Sequence, residues 1–290
     1  MTRSWLRPAS LDAALRALAA ETPPRLFAGG TDIFAAEAFR TAWGQPPDGD
    51  TLDIDAIPGL EGIEKRDGVW RIGARTRWAG IRDASLPAFF DGLRQAAGQV
   101  GGPQIQSRGT IAGNLCNASP AADGVPPLLS LEAEVECASL SGTRNLPLNE
   151  FILGNRRTAL RPGEMVTAIL VPDRTASTRA AFLKLGARRN LVISIAMAAA
   201  TLDVVNGRII KASVALGACS PVAVRLTALE ADLVGLAPGE AAEAVTADHL
   251  SGIAPIDDVR ASADYRREAA AALLRRLLAA MAETMLTEAA

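Results

Sequence analysis

Apolar residues recur at helical spacing near both ends of the chain. A run that follows Ser10, a common helix-capping residue, predicts a short amphipathic helix over residues 11–20. Residues 226–234 predict a second helix that ends before Gly235, and the Ala- and Leu-rich residues 264–286 predict a long third one. The apolar positions of this last helix form one broad face: Leu273, Leu274, Leu277, Leu278, Met281 and Met285.

Short apolar runs bounded by turn residues predict strands between these helices. Asp67-Gly68 and Asn206-Gly207 each separate two such runs, which predicts two β-hairpins. The predicted strands are residues 25–28, 52–54, 62–65, 69–72, 131–140, 144–148, 165–171, 194–205 and 208–217. Because strands and helices mix without regular βαβ alternation, the pattern predicts an α+β fold.

Glycine and proline are dense between residues 98 and 127. Both residue types disfavour helices, so we expect much of this stretch to be loop. It is either a flexible connector or a segment that approaches a ligand closely.

The length of 290 residues is enough for two packed domains. The polar stretch 173–180 marks the expected boundary between them. We expect a first domain over residues 1–175, with subdomains of roughly 1–55 and 56–175, and a second domain over residues 178–290.

Composition excludes several kinds of function. With 30 Lys and Arg against 32 Asp and Glu, the chain has no basic excess of the kind that binds nucleic acid. Three cysteines cannot supply the four thiolates of an iron–sulfur cluster, and the single histidine, His249, rules out a His-rich metal site or a His-based triad. Redox chemistry would therefore need a bound organic cofactor or another subunit.

The chain shows no sign of targeting to a membrane. Arg7, Asp12 and Arg16 interrupt the first 20 residues, which argues against a signal peptide. No stretch approaches the roughly 20 apolar residues of a membrane span. Since an odd number of widely spaced cysteines is typical of reduced thiols, we expect a soluble, cytoplasmic protein.

The first motif that could carry chemistry is Phe27-Ala28-Gly29-Gly30-Thr31-Asp32-Ile33. A strand that opens into two glycines lets consecutive N–H groups converge on an anion. Thr31 adds a hydroxyl, and Asp32 could cap a following helix whose N-terminus faces the same anion. The motif is neither the dinucleotide-binding GxGxxG nor a Walker A loop. Taken alone, a tight strand-to-helix turn is its simpler explanation.

The second motif covers residues 108–123, which are rich in Gly, Asn, Thr and Ser and carry charge only at Arg108 and Asp123. Such side chains suit a long polar ligand that is held along its length. Asp123 would accept hydrogen bonds from ribose or ribityl hydroxyls, while glycine N–H groups would hold phosphate. An elaborate structural loop with Asx turns is an equal alternative.

Two further segments carry clustered cations. Residues 182–190 include Lys184, Arg188 and Arg189, which could form an anion site, a subunit contact or a solvated basic face. Residues 156–164 contain the turn Pro162-Gly163 before a strand, which is typical of the start of a hairpin.

The order and spacing of these four segments resemble the FAD-binding (medium) subunit of the molybdenum hydroxylases, the family of xanthine dehydrogenase and carbon monoxide dehydrogenase. The resemblance covers nearly the whole chain. It implies an FAD-binding domain of the vanillyl-alcohol-oxidase type, made of two small α+β subdomains. It also implies a C-terminal domain with a three-stranded antiparallel sheet and helices, with FAD bound between these parts.

The resemblance also implies which residues contact FAD. The pyrophosphate would lie against Leu26, Phe27, Ala28, Gly29, Gly30, Thr31, Asp32 and Ile33. A second loop for phosphate and ribityl groups would consist of Thr110, Ile111, Ala112, Gly113 and Asn114. Ser119 and Asp123 would continue this contact, and Val166 would pack near the adenine. Lys184 would lie near the flavin, where a cation supports the negative charge of the reduced ring.

One departure from the family concerns the flavin ring. Several relatives place a tyrosine over the ring shortly after the Arg pair, whereas this chain has Asn190, Leu191 and Val192 there. The only tyrosine is Tyr265, in the predicted last helix. The sequence therefore identifies neither the residue that covers the ring nor the electron acceptor.

The family implies a relay of electrons rather than oxidation of a substrate by this chain. A molybdopterin-containing large subunit would oxidise the organic substrate, and a small subunit with two [2Fe–2S] clusters would pass electrons singly to FAD. The flavin would hand them to NAD or a quinone. No catalytic residue and no metal ligand is expected in this chain.

Two other functions compete with this one. The chain could be a free-standing flavin oxidoreductase of the same fold, or an assembly protein that keeps the fold without the cofactor. Intact Gly29, Gly30, Gly113 and Asp123 argue against the second, since no structural need for all of them is evident from the sequence. On this reasoning, a Gly30→Val change would abolish FAD retention, because its side chain would intrude on the pyrophosphate.

Overall fold

A small parallel sheet forms the N-terminal layer of the computed structural model, which describes residues 4–45, 49–188 and 191–289. Its strands are ordered β1-β3-β2, with bounds β1 Trp5–Leu6, β2 Arg25–Phe27 and β3 Thr51–Asp53. Helix α1 spans Leu11–Leu18, and the Ser10 hydroxyl caps it by accepting a hydrogen bond from the Ala13 N–H (3.2 Å). Helix α2 spans Thr31–Ala42 and follows directly on β2. The predicted first helix is therefore confirmed.

A five-stranded antiparallel sheet follows, in the order β4-β5-β10-β6-β7. Its strands are β4 Ile63–Arg66, β5 Val69–Gly73, β6 Glu134–Ser139, β7 Gly142–Pro147 and β10 Met165–Pro172. Asp67 and Gly68, with φ of 49° and 75°, form the turn of the predicted first hairpin. A two-stranded hairpin, β8 Ile152–Gly154 with β9 Arg157–Thr158, precedes the central strand β10.

The glycine- and proline-rich stretch 98–127 contains three short helices joined by turns and loops, in agreement with the expectation that much of it is loop. These helices are α5 Pro103–Gln106, α6 Ile111–Asn117 and α7 Val125–Ser130. Helices α3 Trp78–Asp83 and α4 Asp91–Ala97 precede the stretch, and α8 Leu148–Phe151 follows it. Three of its four prolines lie in first helical turns, where a missing N–H has no cost: Pro103 begins α5, and Pro126 and Pro127 are the second and third residues of α7.

The C-terminal part is a second antiparallel sheet covered by helices. Its long strands are β11 Thr178–Leu185, β12 Ala196–Val205 and β13 Arg208–Gly217, and the two-residue strand β14 Val224–Arg225 extends the expected three strands to four. Asn206 and Gly207 both have positive φ and form the second predicted hairpin turn. Helices α9 Thr227–Leu233 and α10 Ala263–Ala289 cover the sheet. The predicted apolar face of α10 is confirmed, since Leu274, Leu277 and Leu278 are fully buried in one core with alanines of β12.

The two halves of the chain share buried contacts. Phe182 and Met197 pack with Ala96 in one apolar cluster, and the Thr201 hydroxyl donates a hydrogen bond to the buried Ser130 hydroxyl (3.0 Å). The division into domains at residues 175–178 stays a prediction. Among the helices of the described residues, none is long and apolar enough to cross a bilayer.

Candidate functional site

A cavity of about 350 Å³ lies where three segments meet. These are the glycine turn between β2 and α2, the first part of α6, and the segment that leads into β10. The first two segments belong to the first two motifs that the sequence singled out, and the third includes residues of the segment 156–164. The third contributes an apolar wall with Leu160, Met165 and Val166.

The glycine turn is shaped by close contacts within the protein itself. A Cβ on Gly29 would lie 2.1 Å from the carbonyl oxygen of Arg108, so the two motifs touch through their backbones. Gly30 has a φ of +74°, and a Cβ there would lie 2.6 Å from the ring of Phe27. A Cβ on Gly113 would lie 2.8 Å from the hydroxyl oxygen of Thr110.

These contacts correct two expectations. The idea that no structural need explains the glycines was wrong, because the fold alone requires Gly29 and Gly30. A Gly30→Val change would strain the turn and press on Phe27, so it would not isolate an effect on the pyrophosphate.

The N-terminus of α2 faces the cavity with Thr31, Asp32 and Ile33. The first N–H groups of a helix lack partners within it, and together with the helix dipole they favour a bound anion. Gly30 is the capping residue, and no side chain caps the helix. The expectation that Asp32 caps α2 was therefore wrong, because left-handed Gly30 takes the cap position and leaves Asp32 in the first turn. The Asp32 carboxylate instead accepts a hydrogen bond from the Asn117 amide (3.0 Å).

Helix α6 presents polar groups to the other side of the cavity. Thr110 caps this helix, since its hydroxyl accepts a hydrogen bond from the Gly113 N–H (3.2 Å). The Oδ1 atom of Asn114 is buried and has no hydrogen-bond partner among the described residues. A buried acceptor without a donor is costly, so this atom fits a ligand that brings a hydroxyl group.

An ion pair stabilises the apolar wall. The Glu164 carboxylate accepts two hydrogen bonds from Arg144 (2.7 and 2.8 Å) and one from the Arg161 N–H (2.7 Å). Arg144 also donates to the Ala159 carbonyl (2.8 Å), which holds both ends of the segment before β10. Hydrogen bonding to Arg144 lowers the pKa of Glu164, and the same contact raises the pKa of Arg144.

Most of the predicted FAD contacts surround this cavity. Its lining includes Leu26, Ala28, Gly29, Gly30, Thr31, Asp32, Ile33, Thr110, Ala112, Gly113, Asn114 and Val166. Ile111 is instead buried in a core, and Phe27 is buried against the rings of Trp5 and Phe34. Ser119 lies in the loop after α6, where its hydroxyl accepts a hydrogen bond from the Ala121 N–H (3.2 Å).

Asp123 and Lys184 form a buried ion pair rather than part of the cavity lining. The Lys184 ammonium donates to Asp123 (2.6 Å) and to the Gln99 carbonyl (3.4 Å), and the Ser194 hydroxyl donates to the other carboxylate oxygen of Asp123 (2.6 Å). Burial raises the pKa of Asp123, although the Lys184 ammonium acts in the opposite direction. The pair joins the loop before α7 to β11, and its contact with FAD stays a prediction.

The cationic segment 182–190 is only partly described, because Arg189 and Asn190 lie outside the described residues. The Arg188 guanidinium donates to the Leu191 carbonyl (3.0 Å from Nε). Leu191 is exposed and has a φ of +52°, and its side chain lies against Gly102.

The structure adds lining residues that the sequence did not single out as contacts. Asn117, Leu160 and Glu164 lie inside quoted motifs, so the sequence carried a signal for them. Gly109 and Cys116 also lie inside the second motif. Others come from distant elements and meet only through tertiary packing: Leu18, Ile54, Ala74, Trp78, Val100, Ile105 and Met165.

Comparisons with known proteins agree with this arrangement. Residues 1–174 match the family model described as the FAD binding domain in molybdopterin dehydrogenase, and residues 181–281 match the CO dehydrogenase flavoprotein C-terminal domain.

Individual relatives span much of the chain. The 6-hydroxypseudooxynicotine dehydrogenase complex subunit alpha of Paenarthrobacter nicotinovorans is 32% identical over 275 residues, which cover 93% of this chain and 91% of that subunit. The nicotinate dehydrogenase FAD-subunit of Eubacterium barkeri is 35% identical over 179 residues, which cover 60% of this chain and 59% of that subunit. Among solved structures, quinoline 2-oxidoreductase from Pseudomonas putida 86 superposes with a TM-score of 0.86 at 25% identity, covering 98% of both chains.

Proposed function

This chain belongs to the FAD-binding subunits of the molybdenum hydroxylases, a family of oxidoreductases, and from that premise we propose that it is the FAD-carrying electron-transfer subunit of a molybdenum hydroxylase complex. The observation that carries the proposal is the cavity between the glycine turn, α6 and the β10 wall. It combines a helix N-terminus for an anion, an unpaired buried acceptor and an apolar wall.

These features fit the three chemical parts of FAD. The N–H groups at the start of α2 suit the diphosphate. The free Oδ1 of Asn114 suits a ribityl or ribose hydroxyl, and the apolar wall with Val166 suits the adenine. When bound, FAD supplies a carrier that accepts electrons one at a time and holds two.

The chain's own residues bind and orient the cofactor in this proposal. Residues 26–33 hold the diphosphate through backbone groups. Residues 110–114 form a second loop, which holds phosphate and ribityl groups. Ser119 and Asp123 extend this contact, and Lys184 supports charge near the flavin. Because Asp123 and Lys184 are paired with each other and buried, their role requires that the flavin ring lie directly against this pair.

The proposed partners hold the metal centres. We infer a molybdopterin-containing large subunit that oxidises the substrate, and a small subunit with two [2Fe–2S] clusters that delivers electrons singly. NAD or a quinone would then receive the electrons. The number of cysteines supports this division, since three thiols in the whole sequence are too few for even one such cluster.

Purification of the chain from its source under native conditions tests the proposal. We expect a complex that contains FAD, molybdenum and iron, with two further polypeptides in fixed ratio. Recovery of the chain alone, with FAD but without either metal, would instead support a free-standing flavin oxidoreductase. Recovery of a folded chain that neither contains nor takes up FAD would refute both functions.

A further inference from the structure

Three polar side chains from three different elements join in a row at the rim of the cavity. The Asp32 carboxylate of α2 accepts a hydrogen bond from the Asn117 amide nitrogen (3.0 Å). Asn117 is the last residue of α6, and its amide oxygen accepts a hydrogen bond from the Arg156 guanidinium (2.8 Å). We refer to Asp32, Asn117 and Arg156 as the rim relay.

The chemistry of Arg156 and Asp32 fixes the orientation of the Asn117 amide between them. A guanidinium can only donate hydrogen bonds, and an ionised carboxylate can only accept them. The amide of Asn117 therefore has one orientation that satisfies both neighbours, with its oxygen toward Arg156 and its nitrogen toward Asp32. Asp32 and Arg156 thus favour the same orientation, and Arg156 holds the Asn117 side chain from its oxygen end.

The backbone also holds Arg156 in place. Arg156 lies in the turn between β8 and β9 and has a φ of +56°, an unfavourable value for a residue with a side chain. Its N–H donates to the carbonyl of Ala118 (3.0 Å), which has a φ of +45° and ends α6. A backbone hydrogen bond between two residues with positive φ thus joins the turn to the end of α6.

The charge at the cavity explains why such a relay is needed. Among the described residues that line it, Asp32 and Glu164 are acidic and none is Lys or Arg. Glu164 is neutralised by Arg144. Asp32 lies in the first turn of α2, where a carboxylate can itself occupy the anion site formed by the N–H groups, or repel a ligand that does.

We propose that the rim relay keeps the negative charge of Asp32 out of the diphosphate site. Arg156, acting through Asn117, holds the Asp32 carboxylate away from the N–H groups that bind the diphosphate of FAD. The inference rests on the proposed binding of FAD in this cavity. Arg156 is a positioning residue, since among the described residues its side chain is joined to the cavity through the Asn117 amide.

The test compares FAD affinity among variants of the full chain after removal of its flavin. Arg156→Gln keeps a side chain of similar reach but removes the charge, and both residues face the same backbone strain at this position. We expect FAD to bind about tenfold more weakly, within the range of a charge effect at a helix N-terminus. Arg156→Lys should recover most of the affinity. Arg157→Gln, at the exposed neighbouring position, is the matched control and should bind FAD like the wild type.

Repeating the Arg156→Gln change in an Asp32→Asn chain distinguishes an effect through Asp32 from simple damage to the turn. In an Asp32→Asn chain the unwanted charge is absent, so adding Arg156→Gln should change FAD affinity less than twofold. A loss that stays near tenfold in this background would overturn the route through Asp32. Equal affinities of Arg156→Gln and Arg157→Gln chains would overturn the role of Arg156, while the proposed function would stand if the wild type binds FAD. A folded wild-type chain that binds no FAD would overturn both.

Discussion

The Arg144–Glu164 ion pair should contribute measurably both to stability and to FAD binding, and Glu164→Gln tests this. The Glu164 side chain is only 6% exposed and accepts three hydrogen bonds, two of them from the guanidinium. Hydrogen bonds to charged groups contribute about 1.5–3 kcal/mol, and breaking a buried pair costs about 3–5 kcal/mol. Arg144 is partly exposed, and glutamine keeps one acceptor oxygen. We therefore expect the free energy of unfolding to fall by about 2 kcal/mol at pH 7.

The dependence on pH gives this prediction a specific sign. Arg144 lowers the pKa of Glu164 below its ordinary value of 4.5. The ionised carboxylate therefore stabilises the folded chain above pH 4.5, and this contribution is lost as the pH falls through the lowered pKa. Since Glu164→Gln cannot titrate, the difference between wild type and variant should shrink as the pH drops below 4.5.

Urea denaturation of the flavin-free chain at several pH values measures this difference. Glu150→Gln, at an exposed position of α8, is the control and should change stability by no more than about 0.5 kcal/mol. FAD affinity should also fall in Glu164→Gln, because the pair fixes the wall that contains Leu160 and Val166. Equal stabilities of the Glu164→Gln and Glu150→Gln chains at pH 7 would refute the reasoning.

Two further predictions concern the cavity itself. Asn114→Leu removes a buried unpaired acceptor, so the flavin-free chain should be at least as stable as the wild type while FAD affinity falls; calorimetry with and without FAD checks this, and a parallel loss of both would contradict it. Gly30→Ala should destabilise the flavin-free chain more than Gly68→Ala does in urea denaturation. Both glycines have φ near +75°, but only Gly30 has close neighbours, so equal losses would show that the contact at Gly30 relaxes freely.

Features set by a few adjacent residues could be predicted from the sequence. The turns Asp67-Gly68 and Asn206-Gly207 adopt positive φ values that Asp, Asn and Gly tolerate, and the register of the first hairpin follows from its turn. The buried face of α10 follows from its period alone. The two motifs at the cavity were found in the same way, since glycines and short polar residues form a local pattern.

Features set by contacts between distant segments could not be predicted. The approach of Gly29 to Arg108 depends on how β2 and α6 pack. Because of this contact, the fold itself requires Gly29, whereas the sequence suggested a need from the ligand. The short helices α5 and α6 are different, because their signals are local: Pro103 begins one and Thr110 caps the other, although the segment has a low helix propensity. The contact from Asn117 to Arg156 joins residues 39 positions apart, and no local pattern links them.

The most direct test of the central claim is the flavin content of the purified full chain. After extraction and addition of excess FAD, absorption at the flavin maxima should report one FAD bound per chain. Filling the cavity through a bulky substitution at Val166 should lower that content, while the same substitution at the exposed Val259 should not. A folded chain that stays colourless after incubation with FAD would contradict the account.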